Sequence, residues 1–452
     1  MKLIIKTFLV LFLSLNAMSQ SSTAKIEKKI DREALVKRHH LTFNSINASN
    51  IPQVGNGEIA FGIDVTGLQS LYGNTLSQWG WHTSPLPKGK TMDDFKMAEY
   101  QVHGHNTTYP VKSEGQEEIY KWLRENPHRL NLGKFSFMID GKRIDSTDIT
   151  EINQNVDLWQ GVITSKYLLK GVPVEVITLA HPKSDAIAVN VKSALIQQKR
   201  LTVQLALPYG SPTNKSGADW NAADKHSTSL STYVTQAIFS RKLDNDAFKI
   251  KLDWNKNKAI LKETDPHIYV LKPDGTAEEF SFVCNFTQEK SFEISLNFEQ
   301  TLEATKKYWK QFWTTGGAID LSGSSDKRWK ELERRIVLSQ YLLAVNEAGS
   351  LPPQESGLLL NSGWFGKFHL EMHWWHGAHY QLWNRWPLFK RSLQWYQDVL
   401  PVAETIAKRQ GYLGARWPKM IGPDGRFGPS KIGPFLIWQQ PHPLFYAEQN
   451  YR

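Results

Sequence analysis

The chain carries a single cysteine, Cys284, in 452 residues, so no internal disulfide can form. Beyond the first twenty residues no stretch offers about 18 consecutive apolar residues, which excludes an ordinary helical membrane span. There is no internal repeat and no low-complexity tract. A net charge of +10 comes without a long basic run. Lys and Arg are scattered among Asp and Glu, and the one short cluster, Lys25–Lys29, belongs to a polar tail. That distribution argues against a nucleic-acid partner. Cys-rich and His-Glu-x-x-His metal patterns are missing too, and nothing in the sequence implies a metal or a cofactor.

What is present begins with a leader. Lys2 and Lys6 form its positive end, Phe8–Leu15 its apolar stretch, and Ala17-Met18-Ser19 its small-x-small cleavage site. Residues 1–19 are expected to be a signal peptide and 20–45 an N-terminal tail. Export without disulfides fits a bacterial periplasm or cell surface. Seventeen Trp residues, many of them between Trp364 and Trp438, suit either the flat apolar faces of sugars or a packed core.

A chain of this length implies more than one domain. From Val54 to Phe298 the pattern is β. Ile187-Ala-Val-Asn-Val, Leu201-Thr-Val-Gln-Leu and Phe248-Lys-Ile-Lys-Leu-Asp-Trp alternate with period two. Phe280-Ser-Phe-Val and Phe292-Glu-Ile-Ser-Leu continue the series. Turn residues at 244–246, 255–257 and 273–275 separate the runs. These features predict a large antiparallel β-sandwich over 46–299. A helix is expected over Thr301–Trp313, within a linker spanning 300–325. A longer helix should follow, with Ser325 as N-cap, Trp329, Leu332, Ile336 and Leu343 at helical spacing, and Gly349 as C-cap. Pro387 is placed to open another helix, and Pro401 to break it near Val399.

Three segments resemble the glycoside hydrolases and phosphorylases built as a β-sandwich, linker helix and six-hairpin (α/α)6 barrel. The first is Val54-Gly-Asn-Gly-Glu-Ile-Ala-Phe-Gly-Ile-Asp64, similar to a glycine turn near the start of their sandwiches. The second runs from Tyr308-Trp309-Lys-Gln-Phe-Trp313 through Arg335-Ile-Val-Leu-Ser-Gln-Tyr341 to Ser350-Leu-Pro-Pro-Gln-Glu355. The third is Lys367-Phe-His369-Leu-Glu371-Met-His373-Trp374-Trp375-His376, followed by Gly414-Ala-Arg416-Trp417-Pro-Lys419. These are similar to segments of the maltose and kojibiose phosphorylase family and the family 95 α-L-fucosidases. His369 and His373 stand where the fucosidases carry Asn, and His376 where the phosphorylases carry Asp, so neither fucose specificity nor phosphate as acceptor carries over.

The resemblance implies a glycoside hydrolase, inverting, acting on an oligo- or polysaccharide. A non-catalytic carbohydrate-binding protein, or a phosphorylase or lyase on the same architecture, are the alternatives. Glycosidic cleavage needs two carboxyl groups flanking the bond, and Glu355, Glu371, Asp424 and Glu448 are the candidates. Glu371 is the catalytic candidate; its other reading is a carboxylate that binds a sugar hydroxyl or a backbone N–H. His369, His373, Trp374, Trp375, His376, Arg416, Trp417 and Lys419 are candidate substrate-binding residues, each with a core or ion-pair alternative. If all three His were helical, their i, i+4, i+7 spacing would share one face and turn Glu371 away from it. Residues 326–452 are too few for twelve barrel helices. They are expected to form an incomplete barrel, with the principal acid beyond Arg452.

Overall fold

The computed structural model describes residues 29–452 except 213–215, 256–258, 293–294 and 361–362. The expected signal peptide and most of the tail lie outside the described residues. The chain divides into a short unit, Met1–Asp31, and one compact unit, Arg32–Arg452, described from here on.

Its β portion consists of two large antiparallel sheets. The nine-stranded sheet runs, edge to edge, Leu41–Phe43, Ile149–Asp157, Val162–Leu169, Val172–Ala180, Ala186–Lys192, Glu279–Thr287, Asp246–Trp254, Gln236–Leu243, His226–Thr232. The five-stranded sheet runs Lys142–Arg143, Lys134–Ile139, Leu201–Ala206, Ile268–Pro273, Ala259–Asp265. Every neighbouring pair is antiparallel. Their inner faces meet in one continuous core, where Phe135 stacks on Phe282 at 6.1 Å and Phe239 meets Tyr269 edge-on at 4.8 Å.

The expected strands at 187–191, 201–205, 248–254 and 280–283 all fall inside observed ones. The one expected over 292–296 does not form at Phe292, Ser295 or Leu296, and its middle lies outside the described residues. The central strand Ala186–Lys192 is covered on both faces. Ile187, Val189 and Val191 enter the sandwich core, while Ala186 and Ala188 pack with Leu296 and Phe298 in a second cluster.

That second face is covered by helix Phe298–Thr314. It starts three residues before the expected Thr301, because the Asn297 side chain accepts the Gln300 N–H at 2.9 Å and so caps the first turn. Thr305 Oγ1 donates to Ala180 O at 2.8 Å and Trp313 Nε1 to Leu158 O at 2.7 Å, tying the helix to the sheet.

The next helix is Trp329–Asn346. Ser325 is not its cap. Asp326 accepts the Arg328 N–H at 2.9 Å and pairs with the same guanidinium, holding that turn outside the helix. The helix ends at Asn346, so Glu347, not Gly349, closes it. Its buried face is Glu333, Val337, Gln340, Tyr341 and Ala344, and Leu332 is exposed. The expected apolar stripe is therefore rotated from the face that packs. Further helices are Leu370–Gly377, Trp386–Asp398, Leu400–Arg409 and His442–Tyr451. Pro387 and Pro401 each lie in a first helical turn, where a missing N–H costs nothing. No helix among the described residues is long and apolar enough to cross a membrane.

Gly161, at φ +67°, closes the turn between two strands directly under the Trp309 indole, and a Cβ there would collide with that ring. We expect Gly161→Ala to destabilise the fold by about 2–4 kcal/mol, from positive φ and overpacking together. A thermal or urea unfolding curve checks it.

Candidate functional site

The site is built where helix Trp329–Asn346 meets a small three-stranded sheet separate from the two large ones. Strands Gln53–Gly55 and Ile59–Gly62 pair across the turn Gly55-Asn56-Gly57. Of the two glycines only Gly57 takes a positive φ, +92°. Asn56 Oδ1 accepts the N–H groups of Glu58 and Ile59 at 2.9 and 3.0 Å, and its Nδ2 donates to His181 O and Ser184 O. The turn abuts the end of helix Trp329–Asn346. Gly57 N donates to Val345 O at 3.1 Å, and a Cβ on Gly57 would lie 2.5 Å from the Ala348 carbonyl carbon. Gln53 O and Oε1 accept from Tyr341 Oη at 2.9 Å and Asn346 Nδ2 at 2.8 Å.

This docking holds Glu347 in the wall of a cleft of about 530 Å³. Glu355 and His376 line the same cleft. Glu347 is buried, its Oε2 has no hydrogen-bond partner, and His376 Nδ1 lies 3.7 Å away, also without one. Burial raises the Glu347 carboxyl well above the ordinary range, against the pull of the nearby Arg129 guanidinium. Its place at the C-terminus of a helix, where backbone carbonyls make the potential negative, acts in the same direction. His376 is pushed down to about 4 by burial and then by His379. Burial thus favours the uncharged acid at Glu347 and the uncharged imidazole at His376.

Arg129 is fully buried and lies near Glu347. It donates to Ser77 O and Gln78 O at 2.7 Å and to Gln78 Oε1 at 3.0 Å, with Trp81 stacked on it at 4.0 Å. Burial lowers it to about 9, with Glu347 and Glu58 pulling it back up.

Beyond Glu355 lies a second polar group. His369 Nδ1 is 3.8 Å from Glu355 Oε2 and 3.8 Å from Glu371 Oε1. Glu371 Oε1 meets Lys419 Nζ at 2.8 Å, while Glu371 Oε2 is buried without a partner. His369 sits in the short strand Phe368–His369, paired with Met420–Ile421, and precedes helix Leu370–Gly377. That extended residue explains how His369 and Glu371 come together despite the helical-wheel argument. Burial, then Lys419 and Arg124, holds His369 at about 3, and both ring nitrogens lack partners.

The other expected residues disperse. His373 faces the interior of the helices: Nδ1 meets Tyr396 Oη at 3.0 Å, Nε2 meets Ser392 Oγ at 2.9 Å, and its ring stacks on Tyr396. Trp374 packs on Phe445 at 3.9 Å, whereas Trp375 is 63% exposed. Arg416 binds Gln410 Oε1 and the Pro434 carbonyl and lies over Tyr109. Trp417 packs against Tyr396 at 5.6 Å and lines a different hollow. Asp424 pairs with Arg426 and Glu448 with Arg452, both away from the cleft. Among the described residues no three His, Cys, Asp or Glu side chains converge as a metal site.

Glu347 and Arg129 were not foreseen. The signal for Glu347 was in the sequence: it follows Gln340 and Ala344 at helical spacing, so the buried face of the helix runs into a carboxyl at the wrong pole of the dipole.

No family model matches this chain, and no curated protein does. Among solved structures, a protein described as a putative kojibiose phosphorylase from the human microbiome is similar over 92% of this chain and 56% of its own, with a TM-score of 0.61 at 11% identity. A bacterial glucoamylase complexed with acarbose aligns over 91% and 59% at 11% identity, with a TM-score of 0.46. A family 92 inverting mannosidase from Bacteroides thetaiotaomicron aligns over 73% and 42% at 11% identity, with a TM-score of 0.27. The first likeness shows a shared fold. The chain spans little more than half the length of that structure.

Burial, then His376 and His442, pushes His373 down to about 3 from an unfolded value near 6.5. The unfolded chain thus binds the extra proton between those limits, and the stability His373 supplies is complete above pH 6.5 and lost as pH falls towards 3. His373→Gln should therefore cost most near pH 7, and its cost should shrink by about 1.4 kcal/mol per pH unit below 6. Paired unfolding curves from pH 7.5 to 4 check this.

Proposed function

We propose that the protein is a glycoside hydrolase that cleaves glycosidic bonds in a complex carbohydrate, by inversion. The observation that carries this is one cleft lined by both Glu347, whose carboxyl burial pushes well above the ordinary range, and Glu355, an exposed carboxyl. Two such groups are what inverting hydrolysis requires. In this reading Glu347 gives its proton to the leaving glycosidic oxygen as the C–O bond breaks. Glu355 takes a proton from the water that attacks the anomeric carbon from the other face. His369, Glu371 and Lys419 hold sugar hydroxyls, and exposed Trp375 offers an apolar platform.

The sequence resemblance puts the general acid beyond Arg452, and Glu347 is the alternative within this chain. The same reading takes the helices from Trp329 onward as the opening of an (α/α)6 barrel. Leu382 and Leu444, 84% and 75% exposed on helices, offer apolar surface for further helices to cover. It also takes the protein as exported, to a bacterial periplasm or cell surface.

The test is turnover of a glycan panel by the full-length protein, with and without orthophosphate. Glu347→Gln and Glu355→Gln should each lower kcat by about 10²–10⁴, whereas Glu371→Gln should mainly raise KM. Full activity in Glu347→Gln returns the acid to a later segment. Dependence on phosphate makes the enzyme a phosphorylase, and proton NMR of the first-formed anomer decides inversion.

A further inference from the structure

The outer face of the five-stranded sheet carries a second polar pocket, of about 260 Å³. Strand alternation explains it. In Lys134–Ile139 and Leu201–Ala206, Phe135, Phe137, Val203 and Leu205 enter the core. Lys134, Ser136 and Gln204 therefore point to the opposite face, with Gln204 directly across from Ser136 in register. A face turned away from the core is ordinarily wet, yet Gln204 is only 8% exposed. The segment around Asp219 and Trp220 rises beside it, and Trp220 lines the pocket while remaining 41% exposed.

The charges in the lining are unequal. Lys134 and Arg143 both face the pocket, and neither is within ion-pair distance of a carboxylate among the described residues. Asp219 is the one carboxylate of the lining, and its Oδ1 already accepts the Asn221 N–H at 3.0 Å. An aromatic face, a buried amide and two free cations make a surface complementary to a sugar ring that carries negative charge.

We infer that this pocket binds an anionic sugar residue, one bearing a carboxylate or a sulfate, with Trp220 against the ring and Lys134 and Arg143 receiving the charge. None of its residues lines the cleft of Glu347, so this binding and glycosidic cleavage can fail independently. The site would hold an acidic polysaccharide to the sandwich.

The test is calorimetric titration of the whole protein with three probes of equal length: an oligogalacturonide, a sulfated oligosaccharide and a neutral gluco-oligosaccharide. Wild type, Trp220→Ala, Trp220→Phe, the double variant Lys134→Gln/Arg143→Gln, and Glu347→Gln are compared, with thermal melts as folding controls. One acidic probe should bind, and which one does identifies carboxylate or sulfate as the recognised group. Trp220→Ala should weaken it about tenfold and Trp220→Phe much less. The double variant should weaken it further and abolish its salt dependence. Failure of both acidic probes to bind overturns the inference. So does equal binding of the neutral probe, an affinity unchanged in Trp220→Ala and the double variant, or binding lost only in Glu347→Gln.

Discussion

The constraint on which the site depends is a contact between two pieces of backbone. The turn Gly55-Asn56-Gly57 and the helix end Val345–Gly349 approach so closely that a Cβ on Gly57 would overlap Ala348, and one on Gly349 would overlap the Gly57 carbonyl. No side chain fits between them. The Asn56 carboxamide fixes the turn from within, and Arg391 Nη1 spans the junction by donating to Ala348 O at 3.0 Å. The small sheet that carries the turn and helix Trp329–Asn346 are thereby set in one fixed relation, and Glu347, the residue between those contacts, is held at the cleft wall.

That placement has an electrostatic consequence. A carboxyl cannot easily stay charged where it is buried, lacks a hydrogen bond to one oxygen and closes a helix at its carbonyl end. The Arg129 guanidinium opposes this, but it is itself desolvated, and its donors are directed at the carbonyls of Ser77 and Gln78. The histidines around the cleft follow the same rule: His369 and His376 are pushed down by burial and stay neutral. The ion pair between Glu371 and Lys419, close by, is the exception, two opposite charges at 2.8 Å. Weakly charged acid and imidazole groups beside one fixed ion pair give the cleft hydrogen-bonding groups with little net charge.

Much of the fold was legible because it rests on local signals. Period-two runs became strands, and Pro387 and Pro401 opened helices as their missing N–H groups require. The glycine turn near residue 56 was legible as a turn, but not as a docking site: one residue needs the positive φ, and its neighbour needs only the absence of a side chain. The errors fall where tertiary contacts outvote local preference. Asp326 binds the Arg328 N–H and guanidinium, so the helix starts later than Ser325 suggests and without a side-chain cap, and the buried stripe of helix Trp329–Asn346 contains Glu333 and Gln340, which an apolar count passes over. The cluster at 367–376 was visible as chemistry but not as geometry. Only the short strand Phe368–His369 separates His369, beside Glu371, from His373, which is turned into the helix packing. The spacing of Glu347 from Gln340 and Ala344 was legible, but its weight depends on knowing that this face of the helix is the buried one.

The proposed chemistry turns on one proton at Glu347. Infrared difference spectroscopy of wild type against Glu347→Gln at pH 7 reads it directly. A carboxylic-acid C=O band that disappears in the variant, and that persists in wild type up to at least one pH unit above the ordinary carboxyl range, is the predicted result. A carboxylate band at Glu347 at that pH would contradict it, and would remove the general acid from this cleft.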